Sequence, residues 1–565
     1  MTARLRSLLN VVVALAFVAA ACGGEVADSD DTGVAAPTTR SPAADGAEAP
    51  EPDEPDGERE APATTEPEDD TADTGGRPTT EPADEEPSGP APNIYDDPRD
   101  GIFDEFQATM DRGDHPFMQI DRFCVAHDPA PGREATDKGI EADSVSVVHI
   151  RSKLEQLMDI GFGIDVGDTT EMFETFAAVV NEQCGGVRGR MIDLHTVDVG
   201  VLTATVDEDN NAACIEAIED HDAVVVVNSS SFRGSASLCI VEQHETAFVS
   251  VQSQSAQFME RGEDRLITVS TVAEEQLSWM VLDLIAAGRL DGRTVGVAVE
   301  DTPGHYEAVE AGLVQTLIDG GVDVAVFDVI GCGGSNVCLE GTVESVQRLR
   351  LEGVDVFFNL LNVISAPLYL AEMVVQGFEP GDVQFYASDF ESQATELVAS
   401  KIVQVGGAAV GDLYNGAIIS DFRDTGAYRV EGFEPRAFDE MCNDTYGAHS
   451  PSGANHEAHE RADGNERYGM TATVCELMRI TLRGIHDAGD NPARADIYAS
   501  LASLGPVDSS GMYPASLRPG KTRTPDVIHN LVFEFPCTKP SPFPVPGHDH
   551  GICLYPIDEY RPVPS

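Results

Sequence analysis

The side chains best placed to do chemistry in this sequence are hydroxyls and amides at the ends of apolar runs. Residues 223–227 are apolar throughout and open into Asn228-Ser229-Ser230-Ser231, while residues 247–251 open into Gln252-Ser253-Gln254-Ser255. Neutral donors and acceptors grouped this way recognise a polar solute, although a serine in such a place also serves as a helix cap. Nucleophilic catalysis asks for more. No G-x-S-x-G elbow occurs, and Gly234-Ser235-Ala236-Ser237 lacks the second glycine of that motif. His456-Glu457-Ala458-His459 spaces two imidazoles three apart, and His548-Asp549-His550 spaces two more. Neither is H-E-x-x-H, the spacing that sets both ligands and a base on one helix face. No C-x-x-C pair is present, and Gly161-Phe162-Gly163 does not directly follow a strand, as a phosphate loop requires. These residues call for no catalytic group, no metal and no cofactor. A binding protein is expected.

The elements that would hold the serines alternate regularly. Residues 144–150 read as a first strand, with residues 154–160 as a helical insertion behind it. Phe176, Val179 and Val180 fall at helical spacing. Gly185 and Gly186 then stop the helix, since glycine takes the left-handed terminating conformation without steric cost. Residues 190–197 suit a strand, 212–220 a helix, 223–227 a strand buried on both faces, 235–245 a helix and 247–251 a strand. In such parallel α/β sheets ligands bind beyond the carboxyl ends of the strands, where Ser229, Ser230, Ser231, Gln252 and Ser253 lie. Several of these precede helices, whose first N–H groups suit a carboxylate. After residues 266–269 and an amphipathic helix over 272–286 holding the single tryptophan, Trp279, the pattern restarts. Strands are expected over 294–299, 322–329, 354–360 and 384–387, and helices over 305–318, 343–351 and 366–376. A long helix over 473–485 and a strand over 527–535 follow. The corresponding strand ends in this second half carry Asp301, Tyr306, Asn359, Asn362 and Asp389.

The turn N-E-x-C-G-G-V-R-G-R (Asn181 to Arg190), the run D-A-V-V-V-V and the strand exit F-V-S-V-x-S, in this order, resemble the type I periplasmic binding proteins. The likeness is to the branched-chain amino-acid group of ABC-transporter receptors, and it runs from about residue 143 to 535. Where that family usually has Gly-Pro after its third strand, this chain has Asn228-Ser229. The resemblance implies an α/β fold of two lobes, each a parallel sheet flanked by helices, joined by crossing strands. It implies lobe one over 101–272, lobe two over 273–420, a return to lobe one over 421–505, and the end of lobe two with a tail over 506–565. It further implies a small, amino-acid-like solute held between the lobes and delivered to an ABC permease. In the family an acidic residue near Asp389 pairs with the ligand's ammonium, and an aromatic near Tyr306 covers it. For the ten cysteines after Cys22 it implies the pairs Cys332–Cys338, Cys214–Cys239, Cys442–Cys475, Cys537–Cys553 and Cys124–Cys184.

The leader and the charge agree with an exported receptor. Arg4 and Arg6, an apolar stretch over 8–18 and Ala19-Ala20-Ala21 make a signal peptide over 1–21. The next residue, Cys22, resembles the lipidated cysteine of bacterial lipoproteins and would tie the chain to the outer face of a membrane. Residues 23–100 hold 24 acidic and 4 basic side chains with almost no large apolar residue. Such a segment cannot offset its ordering entropy and reads as a disordered, extended stalk. Most of the formal charge of −63 stays with the remaining chain, which excludes nucleic acid as a partner, because binding the phosphate backbone depends on Lys and Arg. Two alternatives stay open: an exported sensor or scaffold of the same fold without transport, and a secreted metal-dependent hydrolase built on the histidines.

Overall fold

The structure, a computed structural model, describes residues 110–159, 162–164, 166–391, 393–429, 436–454, 469–511, 514–538 and 551–563. The leader, Cys22, the stalk and the histidines 456, 459, 548 and 550 lie outside these residues. Five strands form a first, wholly parallel sheet: β1 (Ser144–Ser152), β2 (Met191–Val199), β3 (Val225–Asn228), β4 (Ala247–Ser250) and β5 (Leu266–Thr268), in the order β2-β1-β3-β4-β5. The apolar run of β3 explains its central place. Val225 and Val227 face one helical layer with Val145 and Val147, and Val226 faces the other with Val148 and Ile150.

The helix Thr169–Gln183 supplies much of the first layer. Asp168 caps it by accepting from Glu171 N at 3.0 Å, and Phe173, Phe176 and Val180 are fully buried. It ends at Gly185 and Gly186, both at positive φ, and a Cβ on Gly186 would stand 2.2 Å from Arg190 O. Glycine is required there by both conformation and room.

The second sheet is mixed. Its parallel part is β6 (Val295–Glu300), β7 (Val324–Ile330), β8 (Val356–Leu360), β9 (Gln384–Ser388) and β10 (Ile418–Asp421), in the order β10-β9-β8-β6-β7. A small ribbon, β11 (Gly505–Pro506) and β12 (Ser516–Leu517), precedes the addition of two antiparallel strands beside β10. These are β13 (Val527–Glu534) and β14 (Cys553–Pro556), and β15 (Arg561–Pro562) pairs with the start of β13. The second lobe thus departs from a purely parallel sheet at one edge. From Leu531 onward β13 alternates between buried and half-exposed residues, as a strand with one face covered should.

Among the described residues the chain passes between the two cores at three points up to β13. β5 belongs to the first core and the following helix Ala273–Ala286 to the second. β10 ends in the second sheet, and Phe422 already packs in the first core with the helices Ala437–His449 and Gly469–Asp487. Finally Ile528 packs in the first core and Leu531 in the second. A further apolar cluster joins the lobes directly: Leu157, Phe162, Ile164 and Val201 meet Ile364 and Val337. Five disulfides, Cys124–Cys184, Cys214–Cys239, Cys332–Cys338, Cys442–Cys475 and Cys537–Cys553, are the pairs the resemblance implies. Among the described residues no helix is long and apolar enough to cross a membrane.

Candidate functional site

The loops after β3 and β4 face the loop after β6 across the gap between the lobes. Phe232, Arg233, Gln252, Ser253, Phe258 and His305 line a space of about 280 Å³, its open mouth included. The strand-end loops are braced before they reach it. Gln252 Oε1 accepts from Phe232 N at 2.9 Å, tying the β4 loop to the β3 loop, and Ser253 Oγ donates to Thr271 O at 2.8 Å. Asp207 holds the far end of the β3 loop by accepting from Ser235 N at 2.7 Å.

Ser229 lies deeper, its Oγ 3.2 Å from His149 Nε2. His149 packs against Phe173, ring centroids 4.1 Å apart and tilted by 32°, and is wholly buried, and that burial pushes its pKa down to about 3, so the imidazole is neutral. Ser230 and Ser231 are half-buried, and Ser231 O accepts from Ser152 Oγ. From lobe two, Asp301 Oδ1 accepts from Cys332 N at 2.9 Å and so holds the Cys332–Cys338 loop. Tyr306 is 36% exposed and is not part of the lining. Asn359 is fully buried within β8, and neither atom of its side-chain amide has a hydrogen-bond partner. Asn362 Oδ1 accepts from Ile364 N and Ser365 N, both at 3.0 Å, at the start of the helix Ser365–Val375. Asp389 is buried at the end of β9, with Oδ2 3.1 Å from Arg423 Nη1. The space therefore brings together Gln252 and Ser253 of the expected set, and the others stand behind or beside it.

Search of the solved structures shows what this arrangement is similar to. A solute-binding protein of an ABC transporter from R. palustris in complex with 4-hydroxybenzoate is 13% identical, with a TM-score of 0.51, covering 75% of this chain and 98% of that one. A substrate-binding periplasmic protein from Ralstonia solanacearum matches with 13% identity, a TM-score of 0.51 and 73% and 100% coverage. A branched-chain amino-acid ABC transporter protein from Thermus thermophilus with bound valine matches with 12% identity, a TM-score of 0.50 and 74% and 97% coverage. The chain has the type I periplasmic-binding-protein fold. No protein-family model and no curated protein matches the sequence.

Within that fold the sequence reading missed the charged centre of the cleft. Arg233, from the β3 loop, donates through Nη2 to Glu300 Oε1 at the end of β6, and the two side chains are 6% and 0% exposed. His305 Nδ1 lies 3.2 Å from the same Glu300 oxygen and 3.0 Å from Arg233 Nη2. A signal was present, since Glu300 is the one charged residue closing the apolar run V-G-V-A-V. The partner 67 residues earlier was not visible.

Nearby, the disulfide loop of lobe two grips lobe one. Val206 N donates to Gly334 O at 3.0 Å, and Asn336 Nδ2 donates to Val201 O at 3.0 Å.

On the surface of lobe one His115, His486 and Asp487 come within ligand distance of one another. His115 Nδ1 accepts from Phe117 N at 3.1 Å, however, so its proton sits on Nε2, 2.8 Å from Asp487 Oδ1. A metal ligand has the reverse pattern, with its second nitrogen donating outward. The trio fits a hydrogen-bonded cluster better than a metal centre.

Proposed function

We propose that this chain is an extracytoplasmic receptor that closes its two lobes on a small polar, amino-acid-like solute and passes it to an ABC permease. The observation that carries the reading is the space between the ends of β3 and β4 on one side and β6 on the other, lined by both lobes. A site divided in this way turns ligand contacts into lobe closure. The two ligands named for similar structures, valine and 4-hydroxybenzoate, share a carboxylate. The neutral groups Ser229, Ser230, Ser231, Gln252 and Ser253 suit that carboxylate, and Asp389, with Asn359 and Asn362 beside it, would suit an ammonium once the Arg423 guanidinium moves off it. Asp301 and Tyr306 complete the proposed lobe-two set. Lipidated Cys22 and the acidic stalk would hold the receptor at the outer face of a membrane, and replacing Cys22 with Ser should release it from the membrane fraction.

A thermal-shift screen against amino acids, aromatic and aliphatic carboxylates, short peptides and polyols is the direct test. Ligand at about 100 times its dissociation constant adds ~2.7 kcal/mol of stability. Calorimetry on Ser253→Ala and Asp389→Asn should then show binding weakened roughly ten- to a hundredfold, the worth of a charge-assisted hydrogen bond. Unchanged affinity in both, with the fold intact, would place the solute elsewhere.

A further inference from the structure

We propose that Glu300 is the floor of a cation subsite in the cleft, which in this structure the chain fills with its own Arg233. The proposal rests on the cleft being the ligand site and adds the chemical class of one of its subsites, a guanidinium or primary ammonium group.

The subsite is built by lobe two alone. Glu300 is wholly buried at the end of β6. Its Oε2 accepts from Asn362 Nδ2 at 2.6 Å and from Asn362 N at 3.3 Å, and its Oε1 accepts from Thr302 Oγ1 at 2.8 Å. These neutral donors orient the carboxylate without neutralising it. His305 Nδ1 stands 3.0 Å from Arg233 Nη2, which can only donate to it, and so serves as a second acceptor beside Glu300 while Arg233 is in place. Phe390, 5.0 Å from the His305 ring, backs that imidazole. Two acceptors converging on one nitrogen ask for a donor with at least two hydrogens and a positive charge. The Nη2 of Arg233 is such a group, and so is the end of a guanidinium or ammonium solute.

Lobe one contributes only the occupant. Arg233 is carried on the β3 loop, where Asn210 Nδ2 donates to its backbone oxygen at 2.8 Å. When the lobes separate, Arg233 leaves with lobe one while Asn362, Thr302 and His305 stay around Glu300. An uncompensated buried charge is costly, so the opened cleft presents a preorganised carboxylate lacking its cation. Asp389 does not duplicate this role here, being paired with Arg423. Arg233 thus acts as a tethered competitor for any cationic solute.

The test is chemical rescue of the full chain, with methylguanidinium at low millimolar concentration as the probe and melting temperature and small-angle scattering as readouts. Arg233→Ala should melt several degrees lower and scatter as a more open particle than the parent chain. Methylguanidinium should restore both in a saturable way, while leaving the parent chain and Arg233→Ala/Glu300→Gln unaffected. Arg233→Met, which keeps the apolar stem, carries the same expectation. No rescue in either single variant, or equal rescue in the double variant, overturns the subsite. Failure of both single variants to fold would make Arg233 a structural tie and overturn it as well. Because no solute enters the experiment, its outcome is separate from the screen above. Rescue without any solute hit leaves the subsite standing alone, and a solute hit without rescue leaves the receptor reading standing alone.

Discussion

Glu476 shows how much one side chain can weigh. It sits wholly buried in the helix Gly469–Asp487, where its carboxylate accepts from Ser509 Oγ at 2.5 Å and Ser510 N at 3.0 Å. Burial raises its pKa to about 7, against the lowering effects of those two bonds and of Arg423, and Asp439 adds to the rise. Below the ordinary value of 4.5 both folded and unfolded chains hold the proton, and the contribution to stability is fully present. As pH rises through about 7 the folded chain must ionise a buried group, and the contribution is lost, on the order of 3 kcal/mol. Glu476→Gln should flatten this part of the profile, which urea midpoints near pH 5 and near pH 8 would read. A finding of equal slopes in the two proteins would remove Glu476 from the pH response. At this scale the sequence was only partly legible. Polar residues at strand ends could be named from the pattern, but their partners could not. Asp301 binds a backbone N–H 31 residues away, and Arg233 meets Glu300 across the cleft.

Elements were far more legible than side-chain partners. β3 and β4, and the helices behind them, followed from apolar runs and glycine stops, because burial on two faces leaves a composition mark. β10 was not foreseen: it is four residues long, too short for a period to show. The helices Glu396–Gly406 and Ala408–Tyr414 were obscured by Gly406-Gly407, where the chain bends at a positive φ. Helix-to-helix fit gives a sharp expectation. A Cβ at Gly484 would stand 2.2 Å from Leu501 Cδ2 and 2.4 Å from Cγ, on the neighbouring helix Arg494–Ala502. Gly484→Ala should destabilise the chain by about 1–3 kcal/mol through overpacking, seen in denaturant unfolding. Gly334 tests the grip of the disulfide loop. Its φ is +84°, and a Cβ would stand 3.0 Å from Ala204 O in lobe one. Gly334→Ala should cost about 1–2 kcal/mol in backbone strain. It should also enlarge the radius of gyration seen by scattering, because the loop carrying Gly334 bridges the two lobes. No change in either would mean that the loop does not hold the lobes together.

The whole molecule is fastened at widely separated points. Cys124–Cys184 closes 60 residues, and on chain-entropy grounds such a crosslink stabilises by about 4 kcal/mol. The double replacement Cys124→Ser/Cys184→Ser should lower the melting temperature accordingly, and a shift within experimental error would show the loop to be constrained by other contacts. Two repeated α/β halves were legible at this scale because the strand–helix pattern starts twice. The antiparallel edge was not, since a lone alternating strand carries no mark of its partner. That edge governs the order in which the molecule can be completed. The first core needs Ile528, and the second needs Leu531, Phe533 and Leu554. Neither lobe can therefore complete its core until β13 and β14 are available. Until then Ile418 and Ile419 of β10 stand as an open edge, the feature by which strands of different chains find one another. A chain emerging from its amino end would carry both halves unfinished, and in need of protection, until β13 and β14 are added.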